Sequence, residues 1–365
     1  MCKGPGAGSF LSTNAVPLAA AQDYPLWLNG LIFIAAAIVI WLAATRLVRY
    51  VNAIAVQTGV GEAFAGMLLL GGITSLPEIA NVATSSWIGN PALAINNLLG
   101  SASINVLLLA ILDAFFGRAA LTAVVAQPTT LLQATLSMLV LALVAIAITT
   151  GDLPILGLGV WSIAVFAASI GAFWLSATYE AHAPWTLRET EQPNGGGQTP
   201  NPSGGESLRP LSHLVASTCA LAAVILVAGY CISQTGDALA VQTGLGAGIV
   251  GFVLIGVSTS LPELSTLAAA LRLAKYEMAI GEVLGTNFVN LSLILLADAV
   301  FTGGPVVDEI GRFETASALL GVVLTGIMLV GLLERRNARV LRMGYDSIGV
   351  ILAFSGGLVL LYSLR

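Results

Sequence analysis

Residues 71–78 read Gly-Gly-Ile-Thr-Ser-Leu-Pro-Glu, and residues 256–263 read Gly-Val-Ser-Thr-Ser-Leu-Pro-Glu. Each stretch lies in a longer repeat, in which residues 55–116 align with residues 240–301 at a constant offset of 185 residues, with 24 of 62 positions identical. Five predicted helices separate equivalent positions, so the two copies enter a membrane from opposite sides. Inverted repeats of this kind build secondary transporters, whose substrate site lies near the bilayer midplane where the repeats meet.

The composition around these repeats is that of a membrane protein. Of the 365 residues, 57% are hydrophobic and 9% are charged, whereas roughly a quarter of the residues of a soluble protein are charged. This excludes a soluble enzyme. The net charge of −5 argues against nucleic acid as a partner. The GxxxxGK[ST] phosphate loop is absent, so we expect an ion gradient to drive the protein and expect no cofactor.

Ten apolar runs are long enough to cross a hydrocarbon core of about 30 Å, which takes roughly 20 helical residues. They lie near residues 26–45, 60–86, 92–115, 129–149, 154–176, 212–233, 244–271, 277–301, 313–333 and 345–363. The predicted fold class is therefore all-α, a multi-pass membrane protein with two inverted five-helix repeats. The predicted divisions are a tail over residues 1–25, a first repeat over 26–176, a flexible Gly/Pro/Ser-rich linker over 177–211 and a second repeat over 212–365.

Lysines and arginines predict the orientation, because positively charged loops are retained in the cytoplasm. Eleven of the 14 basic residues fall in loops after odd-numbered helices, namely Arg46, Arg49, Arg118, Arg188, Arg209, Arg272, Lys275, Arg335, Arg336, Arg339 and Arg342. We therefore expect both termini to be extracytoplasmic and the linker to be cytoplasmic. A prokaryotic inner membrane is the expected location.

Each repeat carries a carboxylate after a proline, deep in an apolar helix: Pro77-Glu78 and Pro262-Glu263. An ionisable group at that depth costs at least about 2.5 kcal/mol, and a bound cation would compensate its charge. Proline has no N–H, so it frees the backbone carbonyl four residues earlier as a further ligand.

The other candidate metal ligands share a hydroxyl or amide oxygen and lie beside the glutamates or on the next helix of each copy. They are Thr74, Ser75, Ser101, Asn105, Thr259, Ser260, Thr286 and Asn290. A site built only of oxygens suits hard cations such as calcium, and sodium also accepts such ligands at broken transporter helices. One divalent ion, two monovalent ions or two protons could neutralise the two glutamates, so competition for their charge is the simplest route to exchange.

At these residues the chain resembles the calcium/cation antiporter superfamily, and its sodium/calcium exchanger branch in particular. That family has two inverted alpha-repeats, each with a Gly-Thr-Ser-Leu-Pro-Glu type motif followed by a Gly-Ser-Asn-x-x-Asn/Asp type motif. Here the second motif reads GSASIN at residues 100–105 and GTNFVN at residues 285–290. The resemblance implies that Glu78 and Glu263 are the central ligands, assisted by the hydroxyl and amide residues above. It also implies alternating access, with the first and sixth helices sliding across a core of four repeat helices.

Three positions depart from the family pattern. Ala102 stands where the first repeat usually has asparagine, and Asn290 stands where several prokaryotic exchangers have aspartate. Glu282 replaces the asparagine that the first copy retains as Asn97. These departures leave the choice of ions open.

The leading hypothesis is a secondary antiporter that exchanges calcium for sodium. A proton-coupled antiporter of calcium or another divalent cation is the alternative, and a calcium-sensing membrane protein without transport is a more remote one. A channel is disfavoured because the glutamates sit singly in inverted repeats and do not form a ring around a subunit axis. The expected partners are the lipid bilayer and inorganic cations, with no obligatory protein partner.

Overall fold

The computed structural model describes residues 21–58, 74–116, 121–125, 127–155, 157–180, 210–272, 276–334, 339–340 and 343–364. These residues form an almost entirely helical protein. Its main helices are α1 (Leu26–Thr58), α2 (Leu76–Trp87), α3 (Pro91–Phe116), α4 (Pro128–Thr150), α5 (Val160–Glu180), α6 (Leu211–Thr243), α7 (Gly246–Thr259), α8 (Leu261–Arg272), α9 (Tyr276–Val300), α10 (Arg312–Glu334) and α11 (Tyr345–Ser363). Three shorter helical turns cover Ala21–Asp23, Leu121–Val124 and Val306–Glu309. Two hairpins pair β1 (Pro154–Ile155) with β2 (Leu158–Gly159), and β3 (Arg339–Val340) with β4 (Met343–Gly344).

Within the described residues, eight helices are long and apolar enough to cross a membrane, and α7 with α8 forms a ninth span that is bent by 47°. The second predicted span, residues 60–86, is described only from residue 74 onward, and its first part lies outside the described residues. The tail over residues 1–20 and most of the predicted linker, residues 181–209, also lie outside them. The predicted all-α multi-pass fold class is confirmed, and nine spans are roughly consistent with the predicted ten.

The internal repeat extends over most of the fold. Helices α1 and α6 both have 33 residues, and their first residues are offset by the same 185 positions as the sequence motifs. The same offset relates the β1–β2 hairpin to the β3–β4 hairpin. The structural equivalence therefore reaches well beyond the 62 residues of detectable sequence identity.

Several element boundaries differ from the sequence predictions. Helices α1 and α6 continue to Thr58 and Thr243, past the predicted ends at 45 and 233. Hydropathy detects only the part of a helix that crosses the hydrocarbon core, so it misses the remaining turns. Helix α5 begins at Val160 because the β1–β2 hairpin occupies the predicted first turns, and Gly157, with φ of 85°, permits its tight turn.

Helices α1 and α6 pack along each other. A buried face of small residues on α1, including Ala36, Ala37 and Ala44, faces this contact, and small residues allow membrane helices to approach closely. Helices α2, α3, α7, α8 and α9 pack together as the core, and α4, α5, α10 and α11 flank them. This core carries all the candidate ligands.

A buried aspartate fastens the end of α3 to the second repeat. Asp113 accepts hydrogen bonds from the backbone N–H of Leu121 at 2.9 Å, from that of Gly344 at 2.8 Å and from the Ser347 hydroxyl at 2.9 Å. Its carboxylate is 1% exposed. Asp113 therefore serves the packing of the β3–β4 hairpin, which belongs to the opposite repeat.

Asp298 makes the two equivalent backbone contacts in the second repeat. Its carboxylate accepts from the backbone N–H of Val306 at 2.7 Å and from that of Gly159 at 2.6 Å. Each donor is offset by 185 residues from its counterpart at Asp113. The two repeats are thus joined by a reciprocal pair of buried aspartates.

Candidate cation-binding site

The two glutamate-bearing helices begin inside the protein, at matching breaks in the two repeats. Ser75 has φ −81° and ψ 3°, and Ser260 has φ −84° and ψ 5°. Helices α2 and α8 start at the next residue and carry a proline in their first turn, where its missing N–H costs no hydrogen bond. The proline motif therefore restarts a helix in each repeat.

Glu78 and Glu263 occupy the first turns of these restarted helices. Their side chains are 0% and 1% exposed, and the two carboxylates are close enough for their charges to repel. Each carboxylate lies near its own backbone N–H. The positive end of a helix favours an anion, which helps the fold to hold two carboxylates together in its interior.

Close helix packing brings α3 against α7. A Cβ atom on Gly100 would lie 2.1 Å from the backbone oxygen of Phe252, so only glycine allows this approach. Phe252 belongs to a π-helical segment, Val250–Ile255, in the middle of α7. Such segments are frequent near functional sites, and this one directly precedes the candidate ligands on α7.

Hydroxyl groups connect the two repeats beside the glutamates. Ser101 donates to Glu78 Oε1 at 3.4 Å, and its hydroxyl lies 3.1 Å from that of Thr259. Thr259 also donates to Asn97 Oδ1 at 3.0 Å. A chain of polar groups therefore runs from the first glutamate to the second repeat.

A second link crosses between the repeats at Ser75, whose hydroxyl donates to Asn290 Oδ1 at 3.3 Å. The symmetry-related pair, Ser260 and Asn105, makes no such bond, and neither side chain has a hydrogen-bond partner among the described residues. Both residues are at most 1% exposed. The two halves of the site are therefore similar but not equivalent.

Three of the four carboxylate oxygens have no hydrogen-bond partner among the described residues: Glu78 Oε2 and both oxygens of Glu263. Thr74 lies beside Glu263. Buried polar atoms in proteins are normally paired, so these carboxylate oxygens are available as acceptors for a positively charged ligand. The set of carboxylate, amide and hydroxyl oxygens fits a hard cation.

Hydrogen bonds and electrostatic contacts involve seven of the ten predicted residues: Glu78, Glu263, Thr74, Ser75, Ser101, Thr259 and Asn290. Ser260 and Asn105 are buried at the equivalent positions of the opposite repeat, without a side-chain hydrogen bond to them within the described ranges. Thr286 is also buried, at 2% exposed, one turn before Asn290 on α9. No hydrogen bond joins it to the others in the part of the chain that the structure describes. No group of three or more histidine, cysteine, aspartate or glutamate side chains suited to a metal occurs among the described residues, so neutral oxygens would have to complete the ligand set.

Two residues of this region are missing from the predicted ligand set. Asn97 bonds Thr259, and its position one turn before Ser101 on the same helical face could have indicated it. Thr266 contacts Glu282 through a short hydrogen bond. No sequence signal marked Thr266, because hydroxyl residues in membrane helices most often bond their own backbone.

Comparison with known proteins agrees with this architecture. A sequence profile described as "Sodium/calcium exchanger protein" matches residues 28–178 and 213–363. The chain is 26% identical over 327 residues to the inner membrane protein YrbG of Escherichia coli (strain K12), covering 87% of this chain and 90% of that protein. It is 29% identical over 137 residues to the sodium/calcium exchanger MaX1 of Methanosarcina acetivorans, covering 36% of this chain and 38% of MaX1.

A solved structure of the sodium-calcium exchanger NCX_Mj, soaked with Na⁺ and Sr²⁺, superposes with a TM-score of 0.55 at 18% identity. The match covers 92% of this chain and 99% of that one. At this identity the likeness shows the fold. The profile match spans most of the chain, in two segments that correspond to the inverted repeats. The chain therefore belongs to the sodium/calcium exchanger family, a family of membrane transporters, not enzymes, that carry ions as substrates and not as cofactors.

Proposed function

We propose that the protein is a secondary active antiporter that exchanges calcium for sodium by alternating access. The observation that carries the proposal is the buried pair Glu78 and Glu263, with three of four carboxylate oxygens lacking a partner among the described residues. Two buried negative charges need compensation. One calcium ion compensates both at once, and two sodium ions do the same, so the two ions compete for one site.

The proposed ligands are the two glutamates with the surrounding hydroxyl and amide residues. They are Glu78, Glu263, Thr74, Ser75, Ser101, Asn105, Thr259, Ser260, Thr286 and Asn290. Their burial and the bonds that cross between α2, α3, α7 and α9 support this set. The helix breaks at Ser75 and Ser260 add backbone carbonyls of the kind that coordinate cations in transporters.

The moving part in this proposal is the α1–α6 pair. These helices lie side by side and contact the core mainly through α2 on one side and α7–α8 on the other. Sliding of the pair would open the site to one face of the membrane at a time. In the proposed orientation both termini are extracytoplasmic and the linker over residues 177–211 is cytoplasmic, as the distribution of arginine and lysine favours.

A proton-coupled antiporter of calcium or another divalent cation is the second candidate. Asn290 is neutral, so the site holds only two carboxylates. Glu282 places a third acid near Glu263. Protons could replace sodium in neutralising these groups when calcium leaves.

Ion-gradient assays in proteoliposomes test the proposal. We expect ⁴⁵Ca²⁺ uptake to follow an outward sodium gradient and to ignore a pH gradient imposed alone. Uptake that follows only the pH gradient would replace sodium coupling by proton coupling, and no calcium flux under either gradient would contradict both. Glu78→Gln and Glu263→Gln are the matched inactive controls, because each removes one charge from the pair and keeps the side-chain size.

A further inference from the structure

The two copies differ in charge at one position beside the proposed site, Asn97 in the first copy and Glu282 in the second. In the first copy, Asn97 accepts a hydrogen bond from Thr259, across the interface between the repeats. The equivalent residue of the second copy is Glu282. Its carboxylate instead bonds Thr266 on α8, through a short hydrogen bond between Glu282 Oε1 and the hydroxyl. The second copy therefore has an extra carboxylate that turns away from the place of its counterpart.

Glu282 lies on the same face of α9 as the proposed ligands, at helical spacing from Thr286 and Asn290. Eight residues of helix separate it from Asn290, which is about 12 Å along the axis. It lies nearer the start of α9, at the face of the membrane where α8 ends with Arg272. The carboxylate is thus displaced from the central pair toward one side of the membrane.

The oxygens around Glu282 are arranged like a small ligand set. Glu282 Oε2 is buried and has no hydrogen-bond partner among the described residues. The Thr266 hydroxyl contacts Glu282 Oε1 and also lies 2.9 Å from the backbone oxygen of Glu263. The Glu263 side chain is 1% exposed, has two unpartnered oxygens and interacts electrostatically with Glu282. No described basic side chain forms an ion pair with Glu282.

We propose that Glu282, the Thr266 hydroxyl and Glu263 form a second cation subsite, which holds a cation as it passes between the central site and the Arg272 face. The subsite rests on the proposed transport function, because its role is to supply ions to the Glu78–Glu263 pair. The other face has a neutral amide, Asn97, at the equivalent position. The two faces of the protein therefore differ in their affinity for divalent cations, with the higher affinity at the Arg272 face.

Replacement of the acid tests this asymmetry. Glu282→Asn gives the second copy the residue of the first, and Glu282→Gln keeps the side-chain length and a group that can bond Thr266. We expect both variants to raise the KM for ⁴⁵Ca²⁺ at the Arg272 face, measured in proteoliposomes with a single orientation of the protein. For a unit charge and a divalent ion about 10 Å apart, Coulomb's law predicts roughly a fourfold change in the KM even at the dielectric constant of water. The KM at the other face should stay within about twofold, since the ion there is farther from Glu282.

Glu309 is exposed at the end of the short helical turn Val306–Glu309. Glu309→Gln is therefore the control for loss of an acidic residue and should alter neither KM. The subsite would be overturned by an equal rise of the KM at both faces, by an unchanged KM at both faces, or by loss of transport in both Glu282 variants. The double variant Asn97→Glu with Glu282→Asn adds a second test, because it should move the lower KM to the opposite face. Wild-type protein without any calcium exchange would refute the proposed function itself, whereas wild-type exchange with unaffected Glu282 variants would refute only the subsite.

Discussion

At the scale of single residues, the position of each glutamate in its helix explains how a pair of carboxylates is held inside a membrane protein. Glu78 and Glu263 lie in the first turns of α2 and α8, where backbone N–H groups are free and the helix dipole favours an anion. Ser101 adds a hydroxyl donor to Glu78. These neutral groups reduce the free-energy cost of burying the two charges, and they leave most carboxylate oxygens free to bind a cation.

Not every buried acid has that role. Asp113 and Asp298 are equally buried, but backbone N–H groups bond both oxygens of each carboxylate. Hydrogen bonds to a charged group contribute about 1.5–3 kcal/mol each. The difference between a fully bonded and an unpartnered carboxylate separates the structural acids from the proposed ion-binding ones.

Asp113→Asn and Asp298→Asn should therefore lower stability and leave ion binding unchanged. The amide removes the charge and places an N–H group against backbone donors. We therefore expect the apparent Tm of the purified protein to fall by several degrees, because each kcal/mol lost from the free energy of unfolding lowers the Tm by roughly 2–4 °C. Thermal unfolding in detergent measures this, with Asp23→Asn, at an exposed position, as the control. An unchanged Tm together with an altered KM for calcium would instead place these aspartates on the ion pathway.

At the scale of helices, length is the main difference between α1 and α6, the pair that we propose moves, and the other spans. Thirty-three residues make a helix of about 50 Å, against a hydrocarbon core of about 30 Å. A helix longer than the core tilts or extends into the interface. Both helices have this excess length, which suits a pair that slides as one unit.

The contact between α3 and α7 gives a test at this scale. Gly100→Ala would place a Cβ atom 2.1 Å from the Phe252 backbone oxygen, so the two helices must separate. Overpacking of this kind costs about 1–3 kcal/mol. We expect less monodisperse protein after heating and weaker transport, because Ser101 follows Gly100 and contacts Thr259 on α7.

Gly171→Ala is the matched control for that substitution. Gly171 is exposed on α5, and a Cβ there meets no described atom within 4 Å. Alanine also has the higher helix propensity, so stability should be kept or slightly raised. Equal behaviour of the two variants, measured by size-exclusion chromatography after heating, would show that the α3–α7 approach is not tight.

At the scale of the whole molecule, the two repeats are interlocked and nearly symmetric. Asp113 bonds the hairpin of the second repeat, and Asp298 bonds that of the first. Neither repeat completes its packing alone, so we expect the repeats to unfold together.

Two local differences break the symmetry of the repeats. The Ser75–Asn290 bond has no counterpart, and Glu282 replaces the amide of Asn97.

The inverted repeat, the helical class and the neighbourhood of Glu78 and Glu263 could be predicted from sequence, because the repeated motif marks them directly. The ends of α1 and α6 could not be predicted, because hydropathy does not detect the helical turns that lie outside the hydrocarbon core. The hydrogen bond between Glu282 and Thr266 could not be predicted from the sequence either. It depends on the side-chain direction across two helices, whereas the repeat alone would have placed Glu282 at the position of Asn97.

Equilibrium binding of ⁴⁵Ca²⁺ to the purified protein tests most directly whether the buried pair holds the cation. We expect wild-type protein and Glu309→Gln to bind about one calcium ion per chain, as the two charges require. Removing one partner of a buried charge pair costs about 3–5 kcal/mol, so Glu78→Gln and Glu263→Gln should each weaken binding at least 100-fold with the fold intact. Wild-type affinity in either folded variant would contradict the account.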